Sequence, residues 1–137
     1  MRIPSAWNDL VGLKTTAGRI SLEGVVPLCL KFDTVGPLAR TVEDAALFLG
    51  ALEGTQGPDL RNADSVKGRR FADLQTIAQD DLDPVVAASY AASLVKLQEA
   101  GAEILPLELP ELGDAMALSA ILFTTEAYGL WKDVIEA

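Results

Sequence analysis

The sequence predicts an α/β fold in a chain that is part of a bigger protein or an obligate oligomer. Three observations lead there. Helix-like and strand-like patterns alternate along the chain, which is the pattern of α/β layering. Two of the helices carry complete start and stop signals. Two helical stretches are apolar on nearly every side, and 137 residues are too few to enclose both. A helix without a polar face is normally enclosed in a larger core or by a partner.

The elements follow in order. Pro4 suits the first turn of a short helix, where its missing N–H costs nothing. Residues 10–14 read as a short buried strand. Residues 18–37 are loop, punctuated by Gly18, Gly24, Pro27, Gly36 and Pro37. Thr41 is a good N-cap for a helix to about Glu53, with Glu43 and Asp44 in its first turn and Gly54 as its stop. Ala45, Ala46, Leu47, Phe48, Leu49, Ala51 and Leu52 leave that helix almost no polar face. Arg40 and Asp44 are four apart and read as a structural ion pair.

Residues 54–70 form a linker rich in Gly, Pro, Asp, Asn and Ser. A short strand is expected at 74–78. Asp83 caps the next helix, Pro84 takes its first position and Gly101 ends it. Val86, Tyr90, Leu94 and Leu97 recur at helical spacing and are expected to face the core. Residues 102–109 read as a strand that Pro106 confines to an edge or demotes. One helix, or two, covers 112–135, with an apolar stretch at 115–123. The organisation is thus 1–53, a linker loop at 54–70, and a helix-strand-helix part at 71–137, within one partial domain.

Composition excludes several classes of function. There are 20 acidic and 11 basic residues, a net charge of −9, so nucleic acid is not an expected partner. The basic trio Lys67, Arg69 and Arg70 reads as a solvated loop. The chain has no histidine and one cysteine, Cys29. A Ser-His-Asp triad, a Cys-His pair, a His-ligated zinc site and an internal disulfide are therefore impossible within it. Cys29 reads as a small apolar loop residue. Residues 1–7 lack the pattern of a signal peptide, and the apolar run at 115–123 is far short of the ~20 residues that span a bilayer. The expected setting is cytoplasmic, with no membrane partner.

Particular blocks carry a resemblance. Arg2-Ile3-Pro4-Ser5-Ala6-Trp7, then Leu10-Val11-Gly12-Leu13-Lys14-Thr15, then Gly18-Arg19-Ile20-Ser21 and the long block from Phe32-Asp33-Thr34-Val35-Gly36-Pro37 to Thr41-Val42-Glu43-Asp44-Ala45-Ala46 stand in the order and spacing of amidase-signature enzymes. The chain thus resembles that family. The resemblance implies an α/β amidase-signature fold, a mixed sheet flanked by helices of which only a middle slice is present, and hydrolysis of a carboxamide, a non-peptide C–N bond, to carboxylate plus ammonia or amine, with no metal or organic cofactor. It also implies a Ser–cis-Ser–Lys mechanism, in which a neutral lysine acts through a bridging serine on the nucleophile and backbone N–H groups hold the oxyanion.

By the same resemblance the family nucleophile precedes the residue matched by Met1. The triad is expected upstream, with no catalytic residue in this chain and no activity in the chain alone. Arg2 and Lys14 are the site-supporting candidates, Arg2 through an ion pair that steadies the nucleophile's loop. Thr125, Glu126 and Tyr128 are candidates for an acyl pocket. Ser5 or Ser21 with Lys14 would make a serine–lysine pair, though nothing in the spacing requires their contact. Three departures stand out: Thr15 where many members have proline, Lys31 in a loop often containing proline, and Asp9 at an expected glycine, which would be strained if the turn needs positive φ. The partners expected are a small-molecule amide in the intact protein, and a complementary half or a second copy. The competing readings are an inactive interaction module and a truncated gene product without function.

Overall fold

The computed structural model describes residues 1–61, 63 and 65–137. Of the expected linker, Asn62 and Asp64 lie outside the described residues. The chain forms two compact units, Met1–Arg61 with Ile121–Ala137, and Asn62–Ala120.

The first unit contains α1 (Arg2–Trp7), β1 (Val11–Gly12), β2 (Leu38–Ala39) and α2 (Val42–Glu53), together with the later part of α4 (Glu111–Ile135). β1 and β2 pair antiparallel, Val11 with Ala39 and Gly12 with Leu38. The expected strand at 10–14 is thus two residues long and half-buried rather than buried. Its partner, β2, sits between a Pro and an Arg with no alternating pattern to mark it.

α2 follows its local signals closely. Thr41 Oγ1 accepts the Asp44 N–H at 3.0 Å, and Gly54 ends the helix with φ 67°. Arg40 lies before this cap, outside helical geometry, and makes no ion pair with Asp44 among the described residues. Arg19 instead pairs with Glu53 in the last turn and holds that carboxyl below the usual range through its hydrogen bond. Ala45, Ala46, Leu49 and Gly50 are buried, whereas Leu47 and Phe48 remain 66% and 56% exposed. The apolar helix therefore buries one face and leaves another apolar face open.

The second unit is a β-α-β arrangement: β3 (Arg70–Leu74), a 3-10 turn at Ile77–Gln79, α3 (Pro84–Glu99) and β4 (Glu103–Leu107). β3 and β4 are parallel, from Arg70 opposite Glu103 to Leu74 opposite Leu107. Parallel strands need such a crossover. The strand expected at 74–78 therefore lies earlier in the chain, at 70–74. Charged residues at its open end, where Arg70 stands 3.8 Å from Glu103, gave it the appearance of linker. Pro106 sits in a strand with one partner, where its missing donor is tolerated.

Asp83 accepts the Val85 N–H at 2.8 Å to open α3, and Gly101 follows its end with φ 89°. Of the four residues expected in the core, Leu94 and Leu97 are half-buried, while Val86 and Tyr90 are exposed at 53% and 37%. Tyr90 is engaged in polar contacts instead. Its hydroxyl donates to Asp73 at 2.7 Å, alongside Gln75 and Gln79. These donors hold the Asp73 carboxyl below its ordinary range, and the Tyr90 phenol is raised. α4 is one continuous helix with no buried residue. None of the helices is long and apolar enough to cross a membrane, among the described residues.

Candidate functional site

The blocks from Arg2 to Thr15 and from Phe32 to Pro37 converge on the α1–β1 turn. Ser5 is buried, and its hydroxyl donates to the Met1 carbonyl at 2.9 Å. The Ser5 carbonyl accepts the N–H groups of Asn8 and Leu10, at 3.2 and 3.0 Å, which closes the turn. Gly12 packs directly on Ser5: a Cβ at Gly12 would stand 2.1 Å from Ser5 Oγ and 2.8 Å from its Cβ. No residue larger than glycine fits there without moving α1.

The 35–37 segment docks on the other side of β1. Leu13 N–H donates to the Pro37 carbonyl at 3.0 Å, and Thr15 Oγ1 donates to the Val35 carbonyl at 2.7 Å. Thr15 is buried. The Thr15 hydroxyl thus ties the two segments together. Gly36 lies so close that a Cβ would come within 2.1 Å of the Leu13 carbonyl oxygen.

Asp9 occupies the turn with φ 52°, the left-handed region where a side chain is unfavourable and glycine is at ease. Asp9→Gly should therefore stabilise the chain by about 0.5–1 kcal/mol, and Asp9→Val should destabilise it. Urea midpoints of the two variants against wild type check this; a less stable glycine variant would show that the turn is not strained.

The site-supporting candidates Arg2 and Lys14 are both exposed. Arg2 is exposed on α1 and forms no ion pair among the described residues. Lys14 is exposed, and its Nζ donates to the Thr15 carbonyl at 2.6 Å. Ser21 Oγ accepts the Glu23 N–H at 3.1 Å. Neither Ser5 nor Ser21 is hydrogen-bonded to Lys14 among the described residues, so no serine–lysine dyad is assembled.

On α4, Thr125 is exposed, Glu126 faces Cys29 and Lys31, and Tyr128 donates to Glu136. Tyr128 also lines an open apolar groove of about 460 Å³ with Leu28, Phe123 and Trp131. Sequence reading missed the link from Glu126 to the 29–31 loop, because the contact joins residues 97 positions apart. Among the described residues no group of three or more His, Cys, Asp or Glu side chains could hold a metal ion.

The fold and this packed glycine-serine turn define a class. The chain matches the Amidase family over residues 1–135 and belongs to it. Among curated proteins it is 40% identical to the 2-amino-5-chloromuconic acid deaminase of Comamonas testosteroni, over 84% of this chain and 25% of that protein. It is 36% identical to a glutamyl-tRNA(Gln) amidotransferase subunit of Chlorobium phaeobacteroides (strain BS1), over 93% of this chain and 29% of that one. Among solved structures, an amidase superposes with a TM-score of 0.86 at 29% identity, covering 99% of this chain and 30% of that one. The α/β slice is therefore part of the amidase-signature fold, and the chain spans 25–30% of the length of these relatives.

Proposed function

We propose that this chain serves as one part of an amidase that hydrolyses a small-molecule carboxamide to carboxylate plus ammonia or amine. The catalysis is that of an intact protein with the Ser–cis-Ser–Lys machinery upstream of this segment. The observation that carries this reading is the family match over nearly the whole chain, combined with the separate hydrogen bonding of Ser5, Ser21 and Lys14. Nucleophilic catalysis requires a serine within hydrogen-bond reach of its base. The segment's contribution is structural: the Ser5–Gly12 contact and the Thr15–Val35 bond fix the turn beside which the nucleophile's loop would lie. Arg2, exposed and unpaired among the described residues, is available for an ion pair with that loop.

A second reading, an inactive interaction module, is favoured by one observation. Leu47, Phe48, Leu118 and Ile121 are between 56% and 66% exposed, and apolar surface of this kind marks contact with another protein surface. The occupant would be a complementary half or a second copy of the chain.

One preparation tests both readings. The purified chain should release no ammonia from simple carboxamides, and Ser5→Ala or Lys14→Ala should leave that blank unchanged. Light scattering after size exclusion should find it self-associated. Turnover that survives purification and disappears in either variant would overturn the first reading. A clean monomer with a sharp melt would count against the second.

A further inference from the structure

Residues 27–33 form a loop tied to itself. Asp33 Oδ2 accepts the N–H groups of Leu28 and Cys29 at 2.8 and 3.0 Å, and the Cys29 carbonyl accepts those of Phe32 and Asp33 at 2.8 and 2.7 Å. The same loop is held to α4 by a few side-chain contacts. Trp131 Nε1 donates to the Pro27 carbonyl at 2.8 Å, across 104 positions of chain. Cys29 Sγ donates to Glu126 Oε2 at 3.4 Å, and Lys31 Nζ lies 3.6 Å from the same oxygen. Leu28 borders the groove along that helix. The outer side of the loop faces solvent, with Leu30 53% exposed and the Lys31 side chain 68% exposed.

The balance of these contacts is informative. The internal ties are short hydrogen bonds to backbone N–H groups, two of them accepted by a carboxylate. The ties to α4 are individually weaker: a thiol is a poor donor, an exposed ion pair contributes little, and a single indole N–H remains. Beneath the loop, Cys29 is fully buried. Burial first, and then the Glu126 carboxylate, push its thiol up, so the closed loop holds it as an unreactive thiol.

We propose that the 27–33 loop is a strap that opens off α4 as a unit, and that strap opening rather than global unfolding sets the accessibility of Cys29. Glu126 and Trp131 are the two points of attachment.

The test follows the reaction of Cys29 in the whole chain with an aromatic disulfide reagent, in buffer and in low urea. The wild-type rate should be slow and nearly independent of low urea, because local opening exposes little surface. Glu126→Ala removes both the thiol and the Lys31 contacts and should speed labelling by a few-fold to about tenfold. Trp131→Phe keeps an aromatic ring but loses the N–H, and should speed it by a few-fold. Glu111→Gln, which alters a carboxylate at the start of α4 about four helical turns before Glu126, should label at the wild-type rate. The proposal is overturned if labelling rises with urea as steeply as global unfolding does, or if wild type reacts at once. It is also overturned if the variants label faster only as far as their urea midpoints fall. Should Glu126→Ala fail to fold, Trp131→Phe and Lys31→Ala carry the test, and unchanged rates in both would sink it.

Discussion

Mixed with polypeptides that supply the upstream lysine, both serines, the Gly-rich loop and the remaining part of the amidase fold, the chain should restore carboxamide hydrolysis. The gain should be large, on the order of 10⁶ in rate over the chain alone, since that is about what an active serine and its base contribute together. The driving force is burial. Leu47, Phe48, Leu118 and Ile121 would leave water, and each fully buried side chain of this size contributes about 1.5–3 kcal/mol against the entropy of association. Within the complex, Arg2→Ala should lower kcat by disturbing the loop that carries the nucleophile, with KM little changed. Lys67→Ala, in the linker, should change neither. Ammonia release from the mixture measures all of this. Tight binding with no activity would make the chain an interaction module, and failure to bind would remove the split-enzyme reading altogether.

The second large effect concerns two glycines, where one substitution should have opposite signs. Gly129 lies inside α4 with open space where a Cβ would project. Gly129→Ala should stabilise the chain by about 1 kcal/mol, the helix-propensity difference between the two residues. Gly50 lies inside α2, and the same propensity gain applies. There, however, a Cβ would stand 2.4 Å from the Gly57 backbone nitrogen and 2.8 Å from its Cα. Backbone cannot step aside as a flexible side chain can, and overpacking of this kind costs about 1–3 kcal/mol or more. Gly50→Ala should therefore be destabilising by up to about 2 kcal/mol after the propensity gain is subtracted. Thermal or urea melts of the two variants side by side decide it. A stabilised Gly50→Ala would mean that the 55–57 loop does not pack on α2.

Several features were legible in the residues alone, and each is local. Thr41 and Gly54 bound α2, and Asp83, Pro84 and Gly101 bound α3, because a cap acts through atoms a few positions away. The family was legible for a related reason: its blocks are contiguous runs in a set order, matched by the Amidase family over residues 1–135. Asp9 belongs with them, since the demand for positive φ was implied by a glycine expected at that place and the backbone there has φ 52°.

Tertiary structure decided what depends on distant pairing. β2 exists because Leu38 and Ala39 meet β1, and β3 begins at Arg70 because β4 begins opposite it at Glu103. The core positions assigned to Val86 and Tyr90 failed for the same reason, since periodicity identifies a face but cannot say what covers it. The absence of a Ser5–Lys14 contact and the attachment of the 27–33 loop to Glu126 and Trp131 were equally invisible in the sequence. Side-chain reach over 97 or 104 positions of chain is settled by packing alone, and no local pattern of residue types encodes it.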